Sequence, residues 1–252
     1  MIPKKIHYCW LSEDALPHKI KRCIDSWHKY LPDYEIILWD FNRFPKGSSK
    51  WVDEAFSMKK FAFAADYIRA YALYNEGGIY LDSDVEVIKS FNPLLELPYF
   101  LGTESEGPIE AAAMGASKGH PLFEMLLNYY DHKSFRQTNG MIEDTPMPNI
   151  INSLIETNFT KNRIDSINQF IFDEKIINIF TSDYFSPKSY VDETLHLTQN
   201  TFCIHHFAGS WLPLSTRIKI KREFVIRKLQ SSFGNQTISN FKKLYHFLTN
   251  NK

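Results

Sequence analysis

The sequence predicts an α/β fold in which short strands alternate with amphipathic helices. Residues 2–11 are interpreted as a first strand that is entered after a proline, Pro3. Residues 18–30 have helical apolar periodicity that stops before Pro32, and residues 34–40 form a second strand-like run. A strand–helix–strand order indicates a parallel pair joined by a crossover, which is how nucleotide-binding α/β domains begin.

Later segments continue this alternation. We predict further helices at 60–76, 122–130 and 149–159, and further strands at 79–88, 99–104, 111–116, 176–180 and 201–211. Two polar stretches, 42–57 and 133–148, are interpreted as connectors. A loop as long as the second one is often a lid or a binding element.

The composition indicates a folded domain with room for an appendage. The chain has 252 residues, of which 44% are hydrophobic and 15% aromatic, so a disordered chain is excluded. Its formal net charge is zero, and we therefore expect no nucleic-acid partner. Cys9, Cys23 and Cys203 are odd in number and scattered, which favours reduced thiols over a disulfide framework or a zinc site.

An Asp-x-Asp motif follows the turn signal Gly77-Gly78 and a short apolar run. Side chains alternate along a strand, so Asp82 and Asp84 are predicted to point to the same side. Two such carboxylates repel each other unless a cation lies between them, and Mg²⁺ or Mn²⁺ is commonly held by carboxylates together with substrate phosphates. The same pattern also fits an acidic strand end that faces water.

The helix upstream carries Asp66 and Arg69 on one face, because they are three residues apart. Alone, this pair fits either a surface ion pair or part of a polar site. Together with the Asp-x-Asp segment at a fixed gap, it resembles the signature of the retaining sugar transferases of glycosyltransferase family 32. The matching residues are Ala64-Ala65-Asp66-Tyr67-Ile68-Arg69, Leu73-Tyr74 and Gly77-Gly78-Ile79-Tyr80-Leu81-Asp82-Ser83-Asp84.

That family includes yeast Golgi mannosyltransferases and bacterial capsule and lipopolysaccharide enzymes, and the glucosyltransferase domains of clostridial toxins are similar to it. The resemblance implies a GT-A type, Rossmann-like nucleotide-sugar-binding fold. We assign this domain to residues 1–211, followed by a basic amphipathic helical tail at 212–252.

The implied activity is metal-dependent transfer of a hexose, with retention, from a nucleotide sugar to an oligosaccharide or lipid-linked glycan. A UDP sugar is the favoured donor, Mn²⁺ or Mg²⁺ the cofactor, and capsular, lipopolysaccharide or exopolysaccharide synthesis the setting. By resemblance Asp84 holds the ion, and Asp82 contacts the ion or the ribose and sugar. Arg69 binds a donor hydroxyl or phosphate, and Asp66 binds a sugar hydroxyl. The alternative is a non-catalytic nucleotide-sugar or glycan-binding protein on the same fold.

The resemblance also implies roles at the two ends of this domain. Trp10 is the candidate that stacks on the donor base, although it fits a half-buried core aromatic equally well. Leu11 stands where the family often has glycine. The segment around 201–211 is expected to close over the diphosphate and to add a metal ligand. That ligand is either His205 or His206, with His206 favoured, and Ser210 and Trp211 are expected near the phosphates.

The tail has nine basic residues against one acidic residue, with apolar positions at helical spacing. This pattern fits peripheral binding to an anionic inner-leaflet surface and equally fits a helical tail packed on the domain. The N-terminal residues lack the apolar core of a signal peptide, so we expect a cytoplasmic protein.

Other interpretations of the acidic residues are weaker. A phosphatase of the haloacid dehalogenase class would have Thr or Val where Glu86 stands, and a calcium-binding loop would need further Asp, Asn and Gly residues. Glu104, Glu106 and Glu110 are predicted on an acceptor-facing loop, where they contact either a sugar or only solvent.

Overall fold

The fold is taken from a computed structural model, which describes residues 1–105, 107–190 and 193–209. The predicted α/β class is confirmed. Seven strands form a mixed sheet in the order β2-β1-β3-β6-β5-β8-β7, and β4 pairs with β9 in a separate two-stranded sheet. The strands are β1 Lys5–Cys9, β2 Glu35–Trp39, β3 Gly78–Leu81, β4 Val85–Val87, β5 Tyr99–Thr103, β6 Ile109–Ala116, β7 Thr160–Ile164, β8 Ile176–Phe180 and β9 Cys203–His205.

Five α-helices accompany these strands in the described part of the chain. They are α1 His18–Tyr30, α2 Lys50–Ser57, α3 Phe61–Glu76, α4 Pro121–Asp131 and α5 Met147–Asn158. The interpretation of 42–57 as a connector was wrong, because Lys50–Ser57 form helix α2. Ser49 is the N-cap of this helix, and its side chain accepts a hydrogen bond from the Val52 N–H. The edge strand β7 was also not predicted, because its sequence is polar and mostly exposed.

The order of the strands reverses at β1. Strand β1 pairs in parallel with both β2 and β3, so the chain crosses to one side of β1 and then to the other. Ligands of open α/β sheets bind at the carboxyl ends of strands at such a switch point. Trp10 follows β1 and Asp82 follows β3, so both lie at this end of the sheet.

Helix α3 and the sheet edge are held together by buried polar contacts. His7 accepts a hydrogen bond from Trp39 Nε1 at its Nδ1 atom, over 3.0 Å. Its Nε2 atom therefore carries the proton and donates to the Gly77 carbonyl at 2.8 Å. This pair of bonds joins β1, β2 and the end of α3 inside the core.

Gly77 is required by its backbone and by its neighbours. Its φ of +66° and ψ of −175° lie in a region that essentially only glycine adopts. A Cβ atom here would lie 2.6 Å from the Lys118 backbone nitrogen. The turn signal read from the sequence is therefore also a site of close backbone approach.

The predicted strand 79–88 is two strands. β3 ends at Leu81, and a turn, in which the Val85 N–H donates to the Asp82 carbonyl at 2.9 Å, leads into β4. β4 leaves the large sheet and pairs antiparallel with β9. The Asp-x-Asp motif therefore lies on a turn between two sheets.

Contacts group residues Met1–Ser189 and Thr194–Ala208 into one compact unit, which contains all the elements above. Among the described helices, none combines the length and apolar character needed to cross a bilayer. The predicted tail at 212–252 and the predicted domain limit at 211 lie outside the described residues.

Candidate active site

The turn between β3 and β4 is fixed to its neighbours by backbone bonds. The Asp82 N–H donates to the Ala112 carbonyl of β6 at 2.8 Å. On the other side, the backbone carbonyl of Asp84 accepts a hydrogen bond from the His206 N–H at 3.2 Å. The side-chain Oδ2 atom of Asp84 accepts one from the Ala208 N–H at 2.7 Å. Segments far apart in the sequence therefore place both carboxylates.

Arg69 is buried behind the turn and supports Asp82. Its Nη2 atom donates to Asp82 Oδ1 at 3.0 Å and lies 3.4 Å from Asp66 Oδ1, while Nη1 donates to the Ala111 carbonyl at 2.5 Å. The guanidinium also lies 4.5 Å from the centroid of the Tyr80 ring. Its Nε atom has no hydrogen-bond partner among the described residues. The described contacts of Arg69 therefore involve its Nη1 and Nη2 atoms.

Asp66 and Asp82 both carry perturbed carboxyl groups. Burial raises the pKa of Asp66 to about 6, although Arg69 opposes the rise. Burial also raises the pKa of Asp82, with Arg69 opposing the rise and Asp84 adding to it. Low exposure and neighbouring carboxylates therefore make the ionised forms costly in the resting protein.

His205 is brought to the turn by the antiparallel pairing of Val85 with His205. Its Nε2 atom lies 3.6 Å from Asp84 Oδ1, and one ligand atom each from Asp82, Asp84 and His205 lies within 4.8 Å of the others. Burial alone would lower the pKa of His205, but Glu110 and Asp84 raise it to about 10.

His206 lies elsewhere. Its Nε2 atom bonds to Glu86 Oε2 at 2.8 Å, and both side chains are more than one-third exposed. Neighbouring residues at a strand end face opposite ways, so only one of the two histidines can join the carboxylates. The structure places His205 there, whereas the sequence analysis favoured His206 for that position.

Glu110 differs from its sequence interpretation. It lies in β6 and is 1% exposed, so the description as a residue of an acceptor-facing loop was wrong. Its Oε1 atom accepts from the Ala112 N–H at 2.7 Å and its Oε2 atom accepts from His205 Nδ1 at 3.1 Å. A charged residue that opens a run of small apolar residues was the available signal.

The remaining predicted residues are more peripheral or not described. Trp10 is half-buried and donates through Nε1 to the Asp14 carbonyl at 3.0 Å, so its stacking role stays a prediction. Glu104 lies in the turn before β6, where its N–H donates to the Pro108 carbonyl. Glu106, Ser210 and Trp211 lie outside the described residues.

The chemistry of the cluster fits a divalent cation. Carboxylate oxygens suit Mg²⁺ and Mn²⁺, and an imidazole beside them favours a transition-metal ion such as Mn²⁺ over Mg²⁺. The Nε2–Oδ1 distance of 3.6 Å is too long for a hydrogen bond. Two ligands that each lie roughly 2.1 Å from one small ion are separated by about 3–4 Å. Within the described part of the site, the acidic groups outnumber the two cationic side chains, Arg69 and His205. The four acidic residues are Asp66, Asp82, Asp84 and Glu110.

Comparisons with known proteins agree with the motif. A family model described as the glycosyltransferase sugar-binding region containing the DXD motif matches residues 17–101. Inositol phosphoceramide mannosyltransferase 3 of Schizosaccharomyces pombe is 35% identical over 136 residues, which cover 50% of this chain and 37% of that protein. The uncharacterized glycosyltransferase L373 of Acanthamoeba polyphaga mimivirus is 24% identical over 227 residues, covering 84% and 85% of the two chains.

A solved structure, galactosyltransferase LgtC in complex with donor and acceptor sugar analogs, is also similar. It has a TM-score of 0.43 and 14% identity, and the match covers 86% of this chain and 93% of that one. The chain spans little more than a third of the length of the S. pombe relative. The predicted resemblance to DXD-containing sugar transferases is confirmed over the region that holds α3, β3 and most of the carboxylate cluster.

Proposed function

We propose that this chain, in which residues 17–101 match the DXD-containing sugar-binding region of glycosyltransferases, transfers a hexose from a nucleotide sugar to a glycan acceptor. The observation that carries the proposal is the convergence of Asp82, Asp84 and His205 at the carboxyl end of β3. These side chains would hold a divalent cation at the place where an α/β sheet binds the phosphates of a nucleotide.

The bound cation would offset the negative charge that builds on the diphosphate as the bond to the sugar breaks. The chain's own residues prepare this site before the donor arrives. Arg69 fixes the orientation of Asp82 through its 3.0 Å bond, and the Ala208 N–H fixes Asp84 at 2.7 Å. Preorganised groups stabilise developing charge without a cost of reorientation during the reaction.

The donor is proposed to lie across the carboxyl ends of β1 and β3. Trp10, directly after β1, is proposed to stack on its base, and Asp66 to accept a bond from a sugar hydroxyl. Arg69, whose Nε atom is buried and has no described partner, is proposed to bind a hydroxyl or a phosphate of the nucleotide sugar.

Retention of the anomeric configuration is proposed to proceed without a protein nucleophile. Glu110 cannot reach a sugar carbon, because it is 1% exposed and both its oxygens are bonded. We therefore favour attack of the acceptor hydroxyl on the face that the diphosphate leaves, with a phosphate oxygen taking the proton. A product with inverted configuration by NMR would contradict this route.

The relative in S. pombe is named for mannosyl transfer to inositol phosphoceramide, which supports a mannosyl donor and a lipid acceptor among the candidates. We keep a UDP sugar beside it as the donor predicted from the sequence. The place in capsular or lipopolysaccharide synthesis, the cytoplasmic location and the peripheral membrane contact remain predictions.

A donor panel tests the proposal. The full chain is incubated with UDP-glucose, UDP-galactose, their N-acetyl forms and GDP-mannose, with and without Mn²⁺, and release of the nucleoside diphosphate is measured. We expect one of these donors to release its nucleoside diphosphate, and to do so only when Mn²⁺ is present. This release should be lost in Asp84→Asn and kept in Glu86→Gln, a change at a nearby residue. Tight binding of a donor with no release across varied glycan acceptors would instead favour the non-catalytic binding protein.

A further inference from the structure

Two histidine–glutamate pairs lie next to each other at the end of β9, and they differ in solvent exposure. His206 and Glu86 form a half-exposed pair at 2.8 Å, outside the carboxylate cluster. His205 and Glu110 form a buried pair at 3.1 Å, with side chains that are 13% and 1% exposed. The buried pair directly adjoins Asp84.

The carboxylate of Glu110 is held rigidly. Its Oε1 atom accepts from the Ala112 N–H, two residues along the same strand, at 2.7 Å. Its Oε2 atom is thereby directed to His205 Nδ1. A fully buried carboxylate is costly unless its oxygens are bonded, and this one has a bond at each oxygen.

This arrangement decides which imidazole nitrogen can release its proton and bind a cation. An ionised carboxylate only accepts hydrogen bonds, so Nδ1 must carry the proton that it shares with Glu110. The opposite nitrogen, Nε2, then faces Asp84 Oδ1 at 3.6 Å. A histidine that ligates a metal usually donates its other N–H to a carboxylate or carbonyl, which fixes the ring and the tautomer.

We propose that Glu110 is a positioning residue that holds the Nδ1–H of His205, so that Nε2 presents its lone pair to a cation shared with Asp82 and Asp84. The inference rests on the proposed function, since it assigns a role at the same metal site. Glu110 touches neither the cation nor the substrate and acts only through His205.

The test is Mn²⁺ affinity, measured on the full chain from the electron paramagnetic resonance signal of free Mn²⁺. We expect Glu110→Gln to weaken Mn²⁺ binding about 10–100-fold, because loss of such an outer partner has this effect at other metal sites. Glu86→Gln makes the same chemical change in the outward-facing pair, and we expect it to leave the affinity within about two-fold, since surface pairs contribute little.

A double-mutant cycle separates positioning from a general structural effect. If Glu110 acts through His205, Glu110→Gln should weaken binding no further in a His205→Ala background. An equal loss in both backgrounds would overturn the proposal, as would an unchanged affinity in the single variant.

A second measurement uses the unaltered chain and so does not depend on the folding of a variant. Imidazole ¹⁵N–¹H spectra with Zn²⁺, a diamagnetic ion that imidazole binds well, should show His205 protonated at Nδ1 and unprotonated at Nε2. The opposite tautomer would overturn the proposal while leaving the metal site intact. Failure of the unaltered chain to bind Mn²⁺ would overturn the proposed function and this inference together.

Discussion

Asp66 offers a sharp test of the electrostatics, because its carboxylate is costly in the resting protein. It lies on α3, is 8% exposed, and faces Arg69 at 3.4 Å. Burial nevertheless raises its pKa to about 6 from an ordinary 3.8, and Asp82 adds to the rise. Tyr130 and Cys9, which also lie within its electrostatic reach, are uncharged at neutral pH. Asp66→Asn removes the charge and keeps the shape.

The size and sign of the effect follow from linkage. The rise from 3.8 to about 6 is close to two pKa units, which corresponds to roughly 3 kcal/mol lost from the free energy of unfolding when Asp66 is ionised. The folded protein binds the proton more tightly than the unfolded chain does. The wild type therefore keeps this stability below about pH 4 and loses it as the pH rises through 6.

We expect Asp66→Asn to be more stable than the wild type by about 1–3 kcal/mol at pH 7.5, with the gain shrinking as the pH falls toward 4. Urea denaturation followed by circular dichroism at pH 7.5, 6.0 and 4.5 measures it. Asp25→Asn, an exposed aspartate on α1, is the matched control and should change little. The same Asp66 variant should lose sugar transfer, because the carboxylate that destabilises the folded protein is the group proposed to bind a sugar hydroxyl. A variant that is less stable at pH 7.5, or a gain independent of pH, would refute the reasoning.

Three further predictions concern the core, the turn and the cluster. His7→Phe should lower the free energy of unfolding by roughly 2–6 kcal/mol in urea denaturation, because two buried partners lose their hydrogen bonds; a loss below about 1 kcal/mol would contradict this. Gly77→Ala should lower the free energy of unfolding by roughly 2–6 kcal/mol in the same assay. Gly119, the control, has a φ of +76° but open space around it, and Gly119→Ala should cost only about 1–2 kcal/mol. Equal losses in the two variants would show that the close approach of Gly77 to Lys118 is unimportant. His205→Ala should weaken Mn²⁺ binding in calorimetry while His206→Ala leaves it nearly unchanged, and the reverse order would restore the assignment made from the sequence.

Local signals predicted much of the fold. Helix α1 was predicted with the bounds it has, because its apolar positions recur at helical spacing and a proline follows. Helix α2 was missed although its cap, Ser49, is visible in the sequence, because Pro45 and Gly47 dominate the segment before it. Strand β7 was missed because an exposed edge strand has no buried face to impose alternation.

The site was predictable where it is local and unpredictable where it depends on pairing. The motif and the α3 residues lie within one short segment, so the resemblance to a known family identified them together. The choice of His205 over His206 depends on the register of β9 against β4, which the sequence does not contain. Glu110 lies 95 residues from His205, and only the packing of β6 beside the turn brings the two together.

The central claim is that Asp82, Asp84 and His205 bind one divalent cation. Crystals of the full chain grown with Mn²⁺ and UDP, with data collected at the manganese absorption edge, test this most directly. The account predicts one anomalous peak in contact with Asp84 and with the Nε2 atom of His205. A protein that binds UDP with no anomalous peak there, or with the ion held by His206 and Glu86, would contradict it.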